Sequence, residues 1–314
     1  MFRTKLQLAV LTAALTASTA VSAATVAIQN NNATQLANAI AGPGVAVTGA
    51  SIVRGRAEQF GTFTSTTAQP GIGFAGGIVI STGRVDEIGD SNAALSTPFD
   101  LQPPSTRDAR LEAIAAPSSP PPNASPNDGV SFDSAALRFN FTLQQTTNLV
   151  FDFVFASIEY PEFVGSAYND VFGFFLDDGP NLAVLSNGAR ISVNSINGGN
   201  PGGGTPATNP QLYRNNELPD AGGRPFDTAF DGLTTILTIS ILNVAAGAHN
   251  FEFAIADLSD AILDSAIFIR GSSFAVEAPP PPPPGEVPIP GAIPLLLTGM
   301  AGLGFLSRRR KAQA

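Results

Sequence analysis

Two stretches of this 314-residue chain concentrate oxygen-bearing side chains in a way that suits a hard cation. The first carries Glu159, Glu162 and Asp170 among Ser157, Ser166 and Asn169, and the second carries Asp257, Asp260 and Asp264. Calcium takes roughly six to eight oxygens from carboxylates, carbonyls and amides, and these stretches can supply them. The spacing is not that of an EF-hand, so calcium is expected here from the density of acids alone. A pair such as Glu159 and Glu162 would also suit a glycoside hydrolase, which works with two carboxyl groups. Aromatic platforms for sugar are few, since Trp is absent and the tyrosines are Tyr160, Tyr168 and Tyr213. A Ser-His-Asp triad would need His249, the single histidine, which lies in AAGAHN and reads as a turn residue. The absence of cysteine excludes disulfides, thiolate catalysis and Cys-ligated zinc.

Three function classes follow from these residues: a metal-stabilised surface binding module, a carboxylate-dependent enzyme, and a structural or matrix protein without a small ligand. Charge narrows the partners. The chain carries a net charge of −9, and both lysines, Lys5 and Lys311, lie near its ends. Without the terminal segments described below, ten basic residues face 25 acids, a net charge of −15. Such a body repels nucleic acid, whose binding rests on clustered Lys and Arg, and attracts divalent cations.

The elements that must position the acids are strands. Phe151, Phe153 and Phe155 alternate before the first acidic stretch, and Phe251, Phe253 and Ile255 alternate before the second. If those two strands lie side by side, their loops meet at one edge. Leu137, Phe139, Phe141 and Leu143 form another inward row, and Leu237, Ile239 and Ile241 a further one. Apolar runs at Ile78–Ile80, Val171–Leu176 and Ile267–Arg270 read as buried strands. Leu182–Leu185 and Ile191–Ile196 also read as strands. Val45, Val47 and Ile52-Val53 suggest a strand pair, and Phe60 and Phe63 a short strand. Leu36, Ala37 and Ile40 share one face of a short N-terminal helix over Ala33–Ile40, stopped by Gly42-Pro43. A second short helix fits Arg107–Ala115 within the Pro- and Ser-rich stretch Asp100–Asn127, and Asn197–Asn209 reads as a flexible loop. About ten alternating strands, with no helix long enough for a βαβ crossover, predict an all-β antiparallel sandwich of jelly-roll type.

The ends read differently. Arg3 and Lys5, the apolar Leu6–Leu15 and the small residues Val21-Ser22-Ala23 form a secretory signal peptide over 1–23, cut between Ala23 and Ala24. Residues 24–277 form one domain. Six consecutive prolines mark a stiff linker over 278–286. Then come Val287-Pro288-Ile289-Pro290-Gly291, an apolar membrane segment over 291–306, and the basic Arg308-Arg309-Arg310-Lys311. Positive charge at that end leaves it in the cytoplasm and the body outside.

Phe155–Phe175, FASIEYPEFVGSAYNDVFGFF, resembles the signature of the choice-of-anchor L domain. Gly77–Val85 (GIVISTGRV) and Ile255–Phe268 (IADLSDAILDSAIF) resemble two further blocks of that family. The resemblance names a domain without an established biochemical activity rather than a function, and the expected protein is an exported, non-enzymatic β-sandwich. Residues 287–314 are similar to a PEP-CTERM sorting signal of the V-P-L-P-A subtype, with Ile289 in place of Leu and Gly291 in place of Ala. That likeness implies a Gram-negative-type bacterium, while the signal peptide itself implies the Sec export machinery and signal peptidase. It also implies an exosortase-like processing enzyme and an extracellular polysaccharide matrix as partner. The expected course is an inner-membrane-anchored precursor, then the cell surface or the extracellular space.

Overall fold

Apolar residues at every second position build long paired strands, and the pairing sorts them into two facing sheets. The computed structural model describes residues 26–65, 71–89, 107–115, 126–217, 226 and 228–277. The signal peptide with its Ala23/Ala24 cut, the linker, the Val287–Gly291 motif, the 291–306 segment and the Arg308–Lys311 tail lie outside the described residues. The chain divides into two compact units, Met1–Glu277 and Ala278–Ala314, and all described residues belong to the first. Among them no helix is long and apolar enough to cross a membrane.

In chain order the elements are β1 (Val26–Gln29), α1 (Ala33–Ile40), β2 (Ala46–Arg54), β3 (Phe60–Thr64) and β4 (Gly76–Ser81). Next come α2 (Ala109–Ala115), β5 (Ser131–Leu143), β6 (Thr147–Ser157), β7 (Val171–Leu176) and β8 (Tyr213–Asn215). The remainder are β9 (Gly232–Thr234), β10 (Leu237–Val244), β11 (Gly247–Leu258), β12 (Ser265–Arg270) and β13 (Ala275–Val276). One sheet runs β2-β5-β11-β7. The other runs β1-β3-β4-β12-β6-β9-β8, with β10 and β13 also paired to β6. The strand ladders are all antiparallel. This is the expected all-β antiparallel sandwich.

The main core lies between the sheets. Phe139, Phe141, Phe172, Phe174, Phe251 and Phe253 from the four-stranded sheet meet Phe151, Phe153, Phe155, Ile78, Ile80 and Ile267 from the other. Phe151 and Phe251 touch edge to face across the layer, with ring centroids 5.7 Å apart, a favoured aromatic geometry. α1 forms as predicted: the Asn32 side chain accepts from the Gln35 backbone N–H at 3.1 Å, and Leu36, Ala37 and Ile40 are buried. α2 covers the outer face of the smaller sheet through Leu111 and Ile114, packed with Val171, Phe175, Ala254 and Ala256.

Several sequence expectations change. Val45–Val53 is not a strand pair but the single β2, because Gly49 sits at a register shift rather than a turn. Leu182–Leu185 and Ile191–Ile196 are not strands and pair only at isolated bridges. The Asn181 side chain takes the place of a ladder there, accepting from Phe174 N at 3.2 Å and Ala183 N at 2.9 Å. The glycine-rich Asn197–Asn209 loop is closed on itself by bridges at Asn197–Thr208 and Asn200–Thr205. Finally, β6 and β11 do not lie side by side: they belong to opposite sheets and face each other through their phenylalanines.

Candidate metal site

Although β6 and β11 face each other, their acidic loops still meet. β11 leaves the four-stranded sheet at Leu258, crosses over through Ser259–Asp264 and re-enters the chain's other sheet as β12, which pairs with β6 at Ser265↔Ser157. The signature loop after β6 therefore runs beside the crossover, and Ile158 N donates to Asp264 O at 3.2 Å. The loop is tightly wound, with Phe163 N bonded to Glu159 O and Ser166 N to Phe163 O. Asn194 clamps it from outside: its side chain accepts from Gly165 N at 2.6 Å and donates to Ser166 O at 2.9 Å. Asn169 holds that clamp by accepting from Asn194 N at 2.8 Å. Tyr160 anchors the loop inward, donating its hydroxyl to Ile196 O at 2.8 Å.

Asp170 stands at the centre. Its carboxylate accepts from Leu258 N at 3.1 Å and from the Ser265 hydroxyl at 2.6 Å. Burial nevertheless pushes its pKa up to about 7, outweighing those donors. Asp264 is buried beside Thr82, whose hydroxyl lies 3.4 Å from Oδ1. Burial first, then the charges of Asp170 and Asp133, raise it to about 8. Gly83 makes this approach possible, because a Cβ there would stand 2.1 Å from Asp264 Oδ2. Asp257 is 0% exposed, and neither of its carboxylate oxygens has a hydrogen-bond partner. Burial, reinforced by Asp170 and Asp264, holds it well above the usual carboxylate range; Thr82 alongside offsets little of this.

Glu159 is 2% exposed, and its Oε2 likewise lacks a partner. Its pKa is pushed up to about 10, by burial first and then by the charges of Asp170, Asp260 and Glu162. Asp260 is half-buried and accepts from Ile262 N at 3.2 Å in a local turn. Glu162 is exposed, and its charge raises Glu159. The structure thus gathers Asp170, Asp257 and Asp264, sets Glu159 and Asp260 beside them, and leaves Glu162 on the surface. Among the described residues no group of three or more His, Cys, Asp or Glu side chains stands, as placed, where it could hold a metal ion.

Sequence reasoning missed Asp133, which is 1% exposed and raises both Asp257 and Asp264. A signal existed, since Asp133 has the same parity as the inward row from Ala135 and Leu137 to Leu143. His249, far from this site, is held near the start of β11 by Asp177, just past β7, at 2.7 Å and by Ala245 O at 2.9 Å. It has no nucleophile among these partners and serves as a structural pin.

The chain is therefore an antiparallel β-sandwich in which one end of the core is closed by buried carboxylates. The profile of the choice-of-anchor L domain matches residues 12–275, and the chain belongs to that family. The family is a surface-anchoring one, cell-surface or extracellular, and is not a known enzyme family. No curated protein and no solved structure is significantly similar to the chain.

Proposed function

We propose that this protein is an exported, non-enzymatic binding or structural module of the cell surface whose signature loop is locked by calcium. The observation that carries the calcium reading is Asp257, fully buried with two unpartnered carboxylate oxygens beside Asp170 and Asp264. An unpaired buried carboxylate is costly, and it is tolerated when it is neutralised or coordinates a metal. Glu159 feels the charges of Asp170 and Asp260, and with no cysteine in the chain and its single histidine held elsewhere, the oxygen groups here suit a hard cation. The hydrolase alternative fits less well, because Glu159 is too buried for a sugar to reach, while Glu162 is exposed.

Calcium at about one hundred times its Kd is expected to add about 2.7 kcal/mol to stability, read as a raised Tm. Asp257→Asn should remove most of that response. Coincident melting curves in excess calcium and in chelator would sink the reading.

Export and sorting rest on the residues at the two ends. Sec export and signal peptidase remove 1–23, and the precursor is held in the inner membrane by 291–306 with Arg308–Lys311 inside. An exosortase-like enzyme then cuts near Val287–Gly291 and releases the body towards an extracellular polysaccharide matrix. Deleting Val287–Pro290 should trap uncut precursor in the inner membrane. Mass spectrometry of the surface or released protein tests this, and a peptide still ending at Ala314 would refute it.

A further inference from the structure

The inward-facing rows of six strands end in oxygen at the same end of the core. In the four-stranded sheet, Phe172 and Phe174 of β7 are preceded at the same parity by Asp170. Phe251, Phe253 and Ile255 of β11 are followed by Asp257. Leu137 and Ala135 of β5 are preceded by Asp133. In the nine-stranded sheet, the row Ile78–Ile80 of β4 continues to Thr82. The row Phe151–Phe155 of β6 continues to Ser157, and Ile269 and Ile267 of β12 lead back to Ser265. All six polar residues are buried. Three aspartates on one sheet thus oppose three hydroxyl residues on the other, beneath the crossover that carries Asp264.

Local geometry maintains this arrangement. The β5·β11 register shifts between Ile255 and Asp257, and Asp133 stands in the resulting bulge with φ +44, a left-handed conformation that aspartate tolerates better than most residues. The Asp133 carbonyl accepts from the buried Gln59 side chain at 2.8 Å, which also donates to Thr82 O at 2.7 Å. Gln59 therefore ties the bulge directly to the end of β4. The direct links between the two sets of side chains are few: Ser265 to Asp170, and Thr82 to Asp264. Asp257 lies against Thr82 and Asp170, yet neither of its oxygens closes a well-formed hydrogen bond.

We propose that the cation site is a clasp between the two sheets, in which Asp133, Asp170 and Asp257 of one sheet share an ion with Thr82, just past β4, and Asp264, just before β12, of the other. This rests on the calcium reading above and moves the ion inward, away from the rim that Glu162 occupies. A hard cation there supplies what the end of the core lacks, a positive centre that carboxylates from one layer and oxygens from the other can both approach. It joins the sheets where apolar packing stops.

The test is calcium binding by titration calorimetry on the exported chain, with hydrogen exchange read with and without the ion. Wild type should bind, and Asp133→Asn should bind about tenfold or more weakly, because affinity follows the number of charged ligands. Glu162→Gln should bind as wild type does. Calcium should raise protection at the neighbouring ends of both β5 and β12. Should Asp133→Asn fail to fold, Thr82→Val, which keeps the shape and removes the oxygen, is expected to weaken binding in the same direction. A wild type that does not bind would remove the calcium reading itself. A wild type that binds, with Asp133→Asn and Thr82→Val equally tight or Glu162→Gln impaired, would overturn the clasp and return the ion to the rim.

Discussion

Replacing Glu252 by alanine is expected to destabilise the domain by about 3 kcal/mol, towards the lower end of what breaking a buried ion pair costs. Glu252 lies on the outer face of β11 and is 1% exposed. Three arginines converge on it. Arg138 from β5 meets it at 2.7–2.8 Å, Arg54 from β2 lies at 3.0 Å, and Arg110 from α2 contacts the same oxygen as Arg54. Asp108 answers Arg54 and Arg110, and Asp178 answers Arg138. Arg110 also stacks over Phe175, 4.1 Å from the ring centroid. The network fastens α2 and two neighbouring strands to the sheet, and Glu252 is its only fully enclosed anion beside Asp108.

Without Glu252 the arginines crowd one another, but each is partly exposed and keeps a second carboxylate, so water limits the loss. Urea unfolding should show a lower midpoint with an unchanged slope. Glu252→Gln should lose less than alanine, because it keeps the shape and one acceptor. An alanine variant with the wild-type midpoint would show that the network contributes nothing net.

How far the fold was legible depends on what selects each element. Burial on one face writes alternation into the chain, so Phe151–Phe155, Leu137–Leu143 and Phe251–Ile255 announced their strands. α1 announced itself through three residues on one face and an Asn cap. β8, β9 and β13 hold two or three residues each, and tertiary neighbours rather than periodicity decide them. The 182–196 region carries apolar residues at strand-like spacing, yet the Asn181 side chain satisfies the backbone groups a partner strand would have paired.

The site was legible as composition and illegible as geometry. Glu159 and Glu162 stand three residues apart in one loop, and only the winding of that loop buries the first and exposes the second. Asp257 and Asp170 were visible as acids, but the route by which they meet was misjudged: their loops converge through a crossover between sheets rather than along one sheet edge. Asp133 escapes the pattern because strict alternation begins only at Leu137, whereas β5 begins at Ser131. Followed back at period two, its inward row ends in that aspartate.

Phe274 gives the second large effect, and nothing in the sequence pattern around it marks a core residue. It lies past the end of β12 in GSSFAV, yet it is fully buried. The chain turns at Ser272, with φ +57, and runs back along α1: Phe274 N donates to Ile40 O at 3.0 Å, and Gly42 N donates to Phe274 O at 2.8 Å. Gly42 allows this closeness, since a Cβ there would stand 2.3 Å from Ser272 O. The ring then enters a cluster of phenylalanines from both sheets, 4.8 Å from Phe251, 5.1 Å from Phe139, 5.4 Å from Phe141 and 5.8 Å from Phe151 by centroids. It closes the opposite end of the core from the acids. Phe274→Ala should cost about 3–5 kcal/mol, the transfer energy of the ring plus the cavity that the paired strands cannot collapse into. Leu242→Ala, at a site 65% exposed, should stay within about 0.5 kcal/mol of wild type. Denaturant unfolding of the two variants side by side tests this. If Phe274→Ala unfolds at the same midpoint as Leu242→Ala, the ring is not a structural plug and the last strand turn is dispensable to the sandwich.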